Sequence, residues 1–273
     1  MMSAGRTSDL KYRAASGLVM IPAVLALTWW GGWPFAALWT FAGFAILYEW
    51  AEMTRLERRP LWLAICGVAV MGAVVLVHCG ALALAVLAIL AGAVAGAVAV
   101  RKERLWALCG ALVAGASVVP VLALRGEGTA GMYAVLYLYA VVWATDIFAY
   151  FVGRTVGGPK LWPRVSPNKT WSGALGGVVC GALAGGLLAV AAGLSGVAWL
   201  TALAVVLSVA SQMGDLAESA AKRFFGVKDT SRLIPGHGGI LDRLDGFIVA
   251  ALLALLVALA HMALNPAGGL LFW

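Results

Sequence analysis

A chain of 273 residues that is 63% hydrophobic and only 11% charged has too little polar surface to cover a water-soluble globule, so lipid must solvate most of it. The formal net charge of +7 raises nucleic acid as a partner, but the placement of the basic residues assigns the charge to membrane topology instead. A soluble domain is excluded, and the chain carries no low-complexity tail and no repeat of fixed period.

A helix crossing a bilayer core of roughly 30 Å needs about 20 mostly apolar residues. Such runs occur at approximately 14–31, 34–51, 61–79, 81–100, 105–124, 130–152, 173–193, 195–214 and 246–264. They predict an all-α integral membrane protein, a polytopic bundle of about nine transmembrane helices. The runs are continuous and lack a period of two, which argues against a barrel. Arg6, Lys11 and Arg13 ahead of the first run have the look of a signal peptide, yet no small-residue cleavage site follows Trp29 and Trp30, so the run is read as the first span. Residues 1–129 form an N-terminal region of five spans; residues 130–273 form a C-terminal region that holds the chemistry, with loops at 153–172 and 215–245.

Lys and Arg accumulate in cytoplasmic loops. With nine alternating spans, one side receives Arg6, Lys11, Arg13, Arg55, Arg58, Arg59, Arg101, Lys102, Arg104, Arg154, Lys160, Arg164, Lys169, Lys222, Arg223, Lys228, Arg232 and Arg243, and only Arg125 of the 19 falls opposite. A wrong span count before residue 215 would scramble that split, so it predicts a cytoplasmic N-terminus. The same charge suits anionic membrane lipids, and no nucleic acid is called for.

The cysteines Cys66, Cys79, Cys109 and Cys180 lie in separate apolar runs without metal-like spacing and read as small packed thiols. His78 and His261 sit near span ends and read as interfacial or packed. AGAVAGAVAV, residues 91–100, places small residues at helical spacing, the pattern of close helix packing.

Asp146 lies within the sixth run, in WATDIFAYFVGR. A carboxylate deep in lipid costs about 2.5–3.5 kcal/mol even on the gentler insertion scale, so it must face water, a cation or a basic partner such as Arg154. Asp146, Ala149, Tyr150 and Gly153 share one helical stripe that leads into the loop GRTVGGPKLWPRVSPNKTWSG, residues 153–173. Its glycines and prolines oppose a continuing helix, and Lys160, Arg164, Ser166, Lys169 and Thr170 offer cations and hydroxyls to phosphate oxygens. No Walker A pattern occurs.

The second loop, GDLAESAAKRFFGVKDTSRLIPGHGGILDRLDG at 214–246, holds five of the 12 acidic residues: Asp215, Glu218, Asp229, Asp242 and Asp245. If the eighth helix extends beyond the membrane, Asp215, Glu218 and Lys222 share a face, and Asp242 and Asp245 lie three apart at the start of the ninth. Paired carboxylates repel unless a cation joins them, and oxygen ligands with open positions for phosphates suit Mg2+ above all. Acids for a metal, bases for phosphates and the glycines of Pro235-Gly236-His237-Gly238-Gly239 for close approach together describe metal-assisted phosphoryl or nucleotidyl transfer.

These residues resemble a known family. Ser219, Lys222-Arg223, Lys228-Asp229, Pro235-Gly236-His237-Gly238-Gly239 and Asp242-Arg243-Leu244-Asp245 are similar to the signature S-x2-K-R-x4-K-D-x5-P-G-H-G-G-x2-D-R-x-D of phosphatidate cytidylyltransferases, the CDP-diacylglycerol synthases. The resemblance extends through SQMGDLAES (211–219), SPNKTW (166–171) and DIFAYFVGR (146–154), roughly the C-terminal half. Many members of the family carry Glu where this chain has Ser172, so no role of that glutamate transfers here.

The resemblance implies CTP and phosphatidate as substrates, CDP-diacylglycerol and pyrophosphate as products, Mg2+ as cofactor with a second cation as an option, and an inner or plasma membrane location with a cytoplasmic active site. On that reading Asp215, Asp242 and Asp245 hold metal, with Asp146 as a further ligand or orienter. Lys222, Arg223, Lys228 and Arg243 grip pyrophosphate or lipid phosphate, with Arg154 and Asp229 as further substrate-side candidates. Ser166 and Lys169 close over the nucleotide, and His237 donates to a phosphate or orients a carboxylate. The assembly state is left open, with a homodimer as one option. Three rivals are weighed. A CTP-dependent polyprenol kinase would transfer the terminal phosphate. A CDP-alcohol phosphotransferase would need a DGx2ARx8Gx3Dx3D pattern that this chain lacks. In an ion or solute transporter Asp146 would be a coupling site, but the polar residues gather on one membrane face rather than near the midplane.

Overall fold

The structure is a computed structural model, and it describes residues 18–231, 233, 238–262 and 264–272. Ten helices and one short hairpin make it up: α1 (Leu18–Trp30), α2 (Gly32–Met53), α3 (Arg59–His78), α4 (Leu82–Ala99), α5 (Arg104–Arg125), α6 (Gly128–Val156), β1 (Lys160–Trp162), β2 (Ser166–Thr170), α7 (Trp171–Ala191), α8 (Val197–Phe224), α9 (Leu241–His261) and α10 (Pro266–Leu271). Among the described residues seven helices, α3 to α9, are long and apolar enough to cross a membrane. The chain is an all-α polytopic membrane protein. The two remaining apolar runs coincide with α1, which is shorter in the described residues, and with α2, whose tryptophans, Tyr48 and Glu49 lower its hydropathy. The six-residue α10 lies beyond the last of the nine apolar runs.

The chain forms two discontinuous compact units, Met1–Val118 with Val227–Arg243 and Val119–Gly226 with Leu244–Trp273. In the first, α4 lies on α3 through the small-residue stripe expected from the sequence. Ala85, Gly92, Ala93 and Gly96 are buried, and a Cβ on Gly92 would come 2.2 Å from the Cβ of Ala69. Backbones this close exchange side-chain volume for van der Waals contact, the usual attraction where lipid supplies no hydrophobic drive. Trp50 of α2 lies over Gly110 of α5 and donates from Nε1 to the Trp106 carbonyl at 2.8 Å. Away from these contacts Leu87, Leu90, Val94 and Val98 of α4 are exposed, as a lipid-facing surface requires.

In the second unit, Gly173, Gly177, Gly181 and Gly185 recur every fourth residue along α7 and are all buried. They let α6 approach so closely that a Cβ on Gly177 would sit 2.8 Å from the Thr145 carbonyl, and one on Gly181 2.4 Å from the Thr145 hydroxyl. Thr145 also meets Ser208 of α8, Oγ1 to Oγ, at 2.7 Å, and Tyr137 donates to the Leu200 carbonyl at 2.5 Å. These buried hydroxyls find partners, as they must where no water is at hand.

Three boundaries correct the sequence reading. α6 continues to Val156 and ends where Gly157 adopts φ 66°, so the loop after it is shorter than 153–172 and contains the antiparallel pair β1–β2, with Lys160 opposite Thr170. α8 runs to Phe224 and α9 begins at Leu241, so the connection read as 215–245 is helical at both ends. At 28 residues, α8 spans about 42 Å at 1.5 Å per residue, well beyond a roughly 30 Å hydrocarbon core.

Candidate active site

The candidates divide between the units. Asp146, Arg154, Ser166, Lys169, Asp215, Lys222, Arg223 and Asp245 belong to the second, and Lys228, Asp229, Asp242 and Arg243 to the first. His237 lies outside the described residues.

In the second unit a glycine crossing brings two aspartates together. A Cβ on Gly214 of α8 would lie 2.6 Å from the Asp245 carbonyl, and one on Gly246 of α9 2.8 Å from the Ser211 carbonyl. Any side chain at either position would push the helices apart. Each glycine adjoins an aspartate in sequence, so the crossing that seats the helices also sets Asp215 and Asp245 near one another. Asp245 is close enough to Asp215 and Asp146 to be repelled by both and close enough to Lys222 to be attracted. Its Oδ1 accepts from the Gly246 amide at 2.7 Å.

Cations are arranged around these acids. Lys169 forms an ion pair with Asp215, whose Oδ1 also lies 3.4 Å from the Ser219 hydroxyl. Lys222 pairs with Glu218 at 2.6 Å, both side chains nearly buried, as i, i+4 spacing on a continued α8 allows. Arg223 donates from Nε to the Val165 carbonyl at 3.3 Å, tying α8 to the hairpin. Arg154 instead donates to the Tyr150 hydroxyl at 2.8 Å. The Thr170 hydroxyl, read from sequence as a phosphate donor, caps α7 by accepting from the Gly173 amide at 3.1 Å. Ser172 donates to the Gly157 carbonyl, bracing the end of α6 against the start of α7.

The first unit holds a different arrangement. Asp242 accepts from the Gly239 amide at 2.8 Å, the Thr230 amide at 3.0 Å and the Thr230 hydroxyl at 3.1 Å, all through Oδ2. It thereby anchors the segment before α9, whatever else its Oδ1 does. Gly238 adopts φ +81°, and a Cβ there would lie 2.9 Å from Asp242 Oδ2. The protein's own packing therefore requires both motif glycines, since a Cβ on Gly239 would lie 2.0 Å from the Thr230 hydroxyl. Lys228, Asp229 and Arg243 are exposed.

The comparisons with known proteins decide the family. The model of the cytidylyltransferase family matches residues 11–261. A phosphatidate cytidylyltransferase of Brucella abortus biovar 1 (strain 9-941) is 43% identical over 254 residues, covering 90% of this chain and 92% of the relative. The chain belongs to the cytidylyltransferase family. A Brucella melitensis phosphatidate cytidylyltransferase is 42% identical over the same shares of both chains. One from Staphylococcus haemolyticus is 47% identical over 119 residues, 43% of this chain and 46% of the relative.

As a cytidylyltransferase, this chain is a nucleotidyl-transferring enzyme, and its site can be tested against the cofactor its acids suggest. Among the described residues no three His, Cys, Asp or Glu side chains gather as a ligand set. A closed cage is not what Mg2+ asks for: it is commonly held by one or two carboxylates and by the phosphates of the substrate. Asp215 and Asp245, mutually repelling and backed by Asp146, fit that donor chemistry; Asp242 offers only what the Thr230 and Gly239 bonds leave over.

Two features escaped the sequence reading. The Lys169–Asp215 pair joins positions 46 apart that no local pattern links. Glu49, wholly buried on α2, accepts from the segment before α9; a lone acid inside the apolar run 34–51 was the available signal.

Proposed function

We propose that this cytidylyltransferase moves the cytidylyl group of CTP onto phosphatidate, giving CDP-diacylglycerol and pyrophosphate with Mg2+, at the cytoplasmic face of a bacterial inner or plasma membrane. The observation that carries the reading is the near full-length likeness to the Brucella phosphatidate cytidylyltransferases, joined to an acid and lysine cluster at the α8–α9 crossing.

A phosphatidate oxygen attacks the α-phosphorus of CTP, the bond from that phosphorus to the bridging oxygen breaks, and its electron pair leaves with pyrophosphate. The attacking oxygen is already anionic, so no covalent enzyme intermediate and no general base is needed. The protein's work is to align two polyanions and offset their charge. Mg2+, held by Asp215 and Asp245 with Asp146 and Asp242 as further candidates, would supply positive charge against the CTP phosphates. Lys169, drawn from Asp215 by the nucleotide, and Ser166 serve the CTP side. Lys222, Arg223, Lys228, Arg243 and Arg154 serve the pyrophosphate and lipid phosphate, Asp229 orients the neighbouring lysine, and His237 donates to a phosphate. A substrate that keeps its acyl chains in lipid explains why acids flank an apolar helix.

Purified protein given phosphatidate, Mg2+ and CTP labelled on the α-phosphorus should place label in the lipid fraction, while γ-labelled CTP should not. Label from the γ position in lipid would instead establish a kinase, and no lipid label from either would end the reading.

A further inference from the structure

The Glu49 carboxylate is wholly buried and meets four donors, none from its own helix. Oε1 accepts from the Ile240 amide at 2.8 Å and the Ser231 hydroxyl at 2.6 Å. Oε2 accepts from the Leu241 amide at 2.7 Å and lies 3.4 Å from the Thr230 hydroxyl. Two carboxylate oxygens offer about four lone-pair sites, so the group is saturated by one segment of chain some 180 to 190 residues away in sequence.

α2 gives no reason of its own for this acid. Glu49 stands one turn before the C-terminal end of α2 at Met53, where the helix dipole disfavours negative charge. The amides it accepts belong to the opposite kind of end, the first turn of α9, where a carboxylate is favoured. The Thr230 hydroxyl, 3.1 Å from Asp242 Oδ2, has one proton to share between Glu49 and Asp242. Gly239 seals the arrangement: a Cβ there would fall 2.0 Å from the Thr230 hydroxyl and 2.8 Å from each Glu49 oxygen. Glu49 thus ties the chain on both sides of residues 232–237, between the Lys228-Asp229 and Asp242-Arg243 pairs of the signature.

We propose that Glu49 is a positioning residue for cytidylyl transfer: from α2 it clamps Thr230 and Ser231 together with Ile240 and Leu241 and fixes the start of α9, which carries Asp242 and Arg243. It touches no substrate, and the inference rests on the proposed reaction only for its kinetic consequence.

The test compares wild type with Glu49→Gln, which keeps shape but turns an amide donor toward two other donors. Hydrogen–deuterium exchange of a peptide covering Ile240 and Leu241, in detergent, should accelerate at least about tenfold, and kcat should fall about 10–100-fold, the loss usual for outer-shell partners, with both KM values nearly unchanged. Gly239→Ala should reproduce both effects. Unchanged exchange, or faster exchange with unchanged kcat, overturns the proposal, and a raised KM for one substrate alone would make Glu49 a binding residue instead. If Glu49→Gln does not fold, Ser231→Ala removes the 2.6 Å bond to Glu49 together with the 3.1 Å bond its hydroxyl accepts from the Leu233 amide and must still speed exchange at Ile240 and Leu241; no change there overturns the clamp. A wild-type protein that transfers no label sinks the reaction, while exchange still decides the clamp.

Discussion

The ammonium of Lys169, the penultimate residue of β2, is paired with the carboxylate of Asp215 on α8. Both side chains are about one-third exposed, so the pair contributes little to stability, about 0–1 kcal/mol for ion pairs of that kind. Its meaning is positional. On the proposed reaction, a lysine that neutralises Asp215 would turn to a nucleotide phosphate once a cation took its place on the carboxylate.

Lys169→Met is therefore expected to leave the melting temperature within about 3 °C, given that 1 kcal/mol moves a domain of this size roughly 2–4 °C, and to lower kcat/KM for CTP about a hundredfold or more. A loss of two charge-assisted bonds of about 1.5–3 kcal/mol sets that scale. Lys169→Arg keeps the charge but not the compact point donor and should recover only part. Steady-state kinetics with CTP varied at saturating phosphatidate checks it.

Asp245 faces the like charge of Asp215 across the glycine crossing and that of Asp146 on α6. Asp245→Asn removes that repulsion, so it should abolish turnover while holding or raising thermal stability, the pattern of a strained functional site. Mg2+ should raise the wild-type melting temperature through linkage and raise that of the variant much less. Robust activity in Asp245→Asn would remove Asp245 from the metal assignment.

Gly214→Ala tests the crossing itself. Its Cβ would lie 2.6 Å from a backbone carbonyl and 2.8 Å from Val249, and neither can swing aside like a long side chain. Overpacking of this kind costs about 1–3 kcal/mol, and here it also shifts Asp215 relative to Asp245, so kcat should fall with the melting temperature. Gly72→Ala is the control. It lies within α3 with nothing within 4 Å of its added Cβ, and should be neutral or stabilising by about 0.4–1 kcal/mol.

Hydropathy made the helices legible because burial in lipid constrains every residue of a span at once. The same constraint hid other things. Pro163 and Pro167 mark the 153–172 segment as irregular, and the hairpin that holds them, Pro163 in its turn and Pro167 in β2, has too few residues for an alternating pattern. Asp215, Glu218 and Lys222 declared a helical face by spacing, and Glu218 with Lys222 use it. Glu49 and Lys169 could not be placed, since their partners lie far along the chain and pairing is a property of packing. Ser172 was conspicuous only by comparison with relatives; its hydroxyl serves the Gly157 carbonyl.

Orientation rests on the basic residues, and the cysteines make it measurable. Cys79 is exposed just beyond the end of α3, whereas Cys66 is buried, and the charge distribution puts the α3–α4 turn on the side opposite Arg58 and Lys102. In right-side-out and inverted vesicles, a membrane-impermeant maleimide should therefore label Cys79 only from the outer side. With Cys79 replaced by Ser, a cysteine introduced at Lys160 of the hairpin should be labelled only from the cytoplasmic side. Both sites reacting from one face would mean an odd number of crossings in error among α4, α5 and α6, and reaction of both from the outer side would move the acids of α8 and α9 away from the compartment that holds CTP.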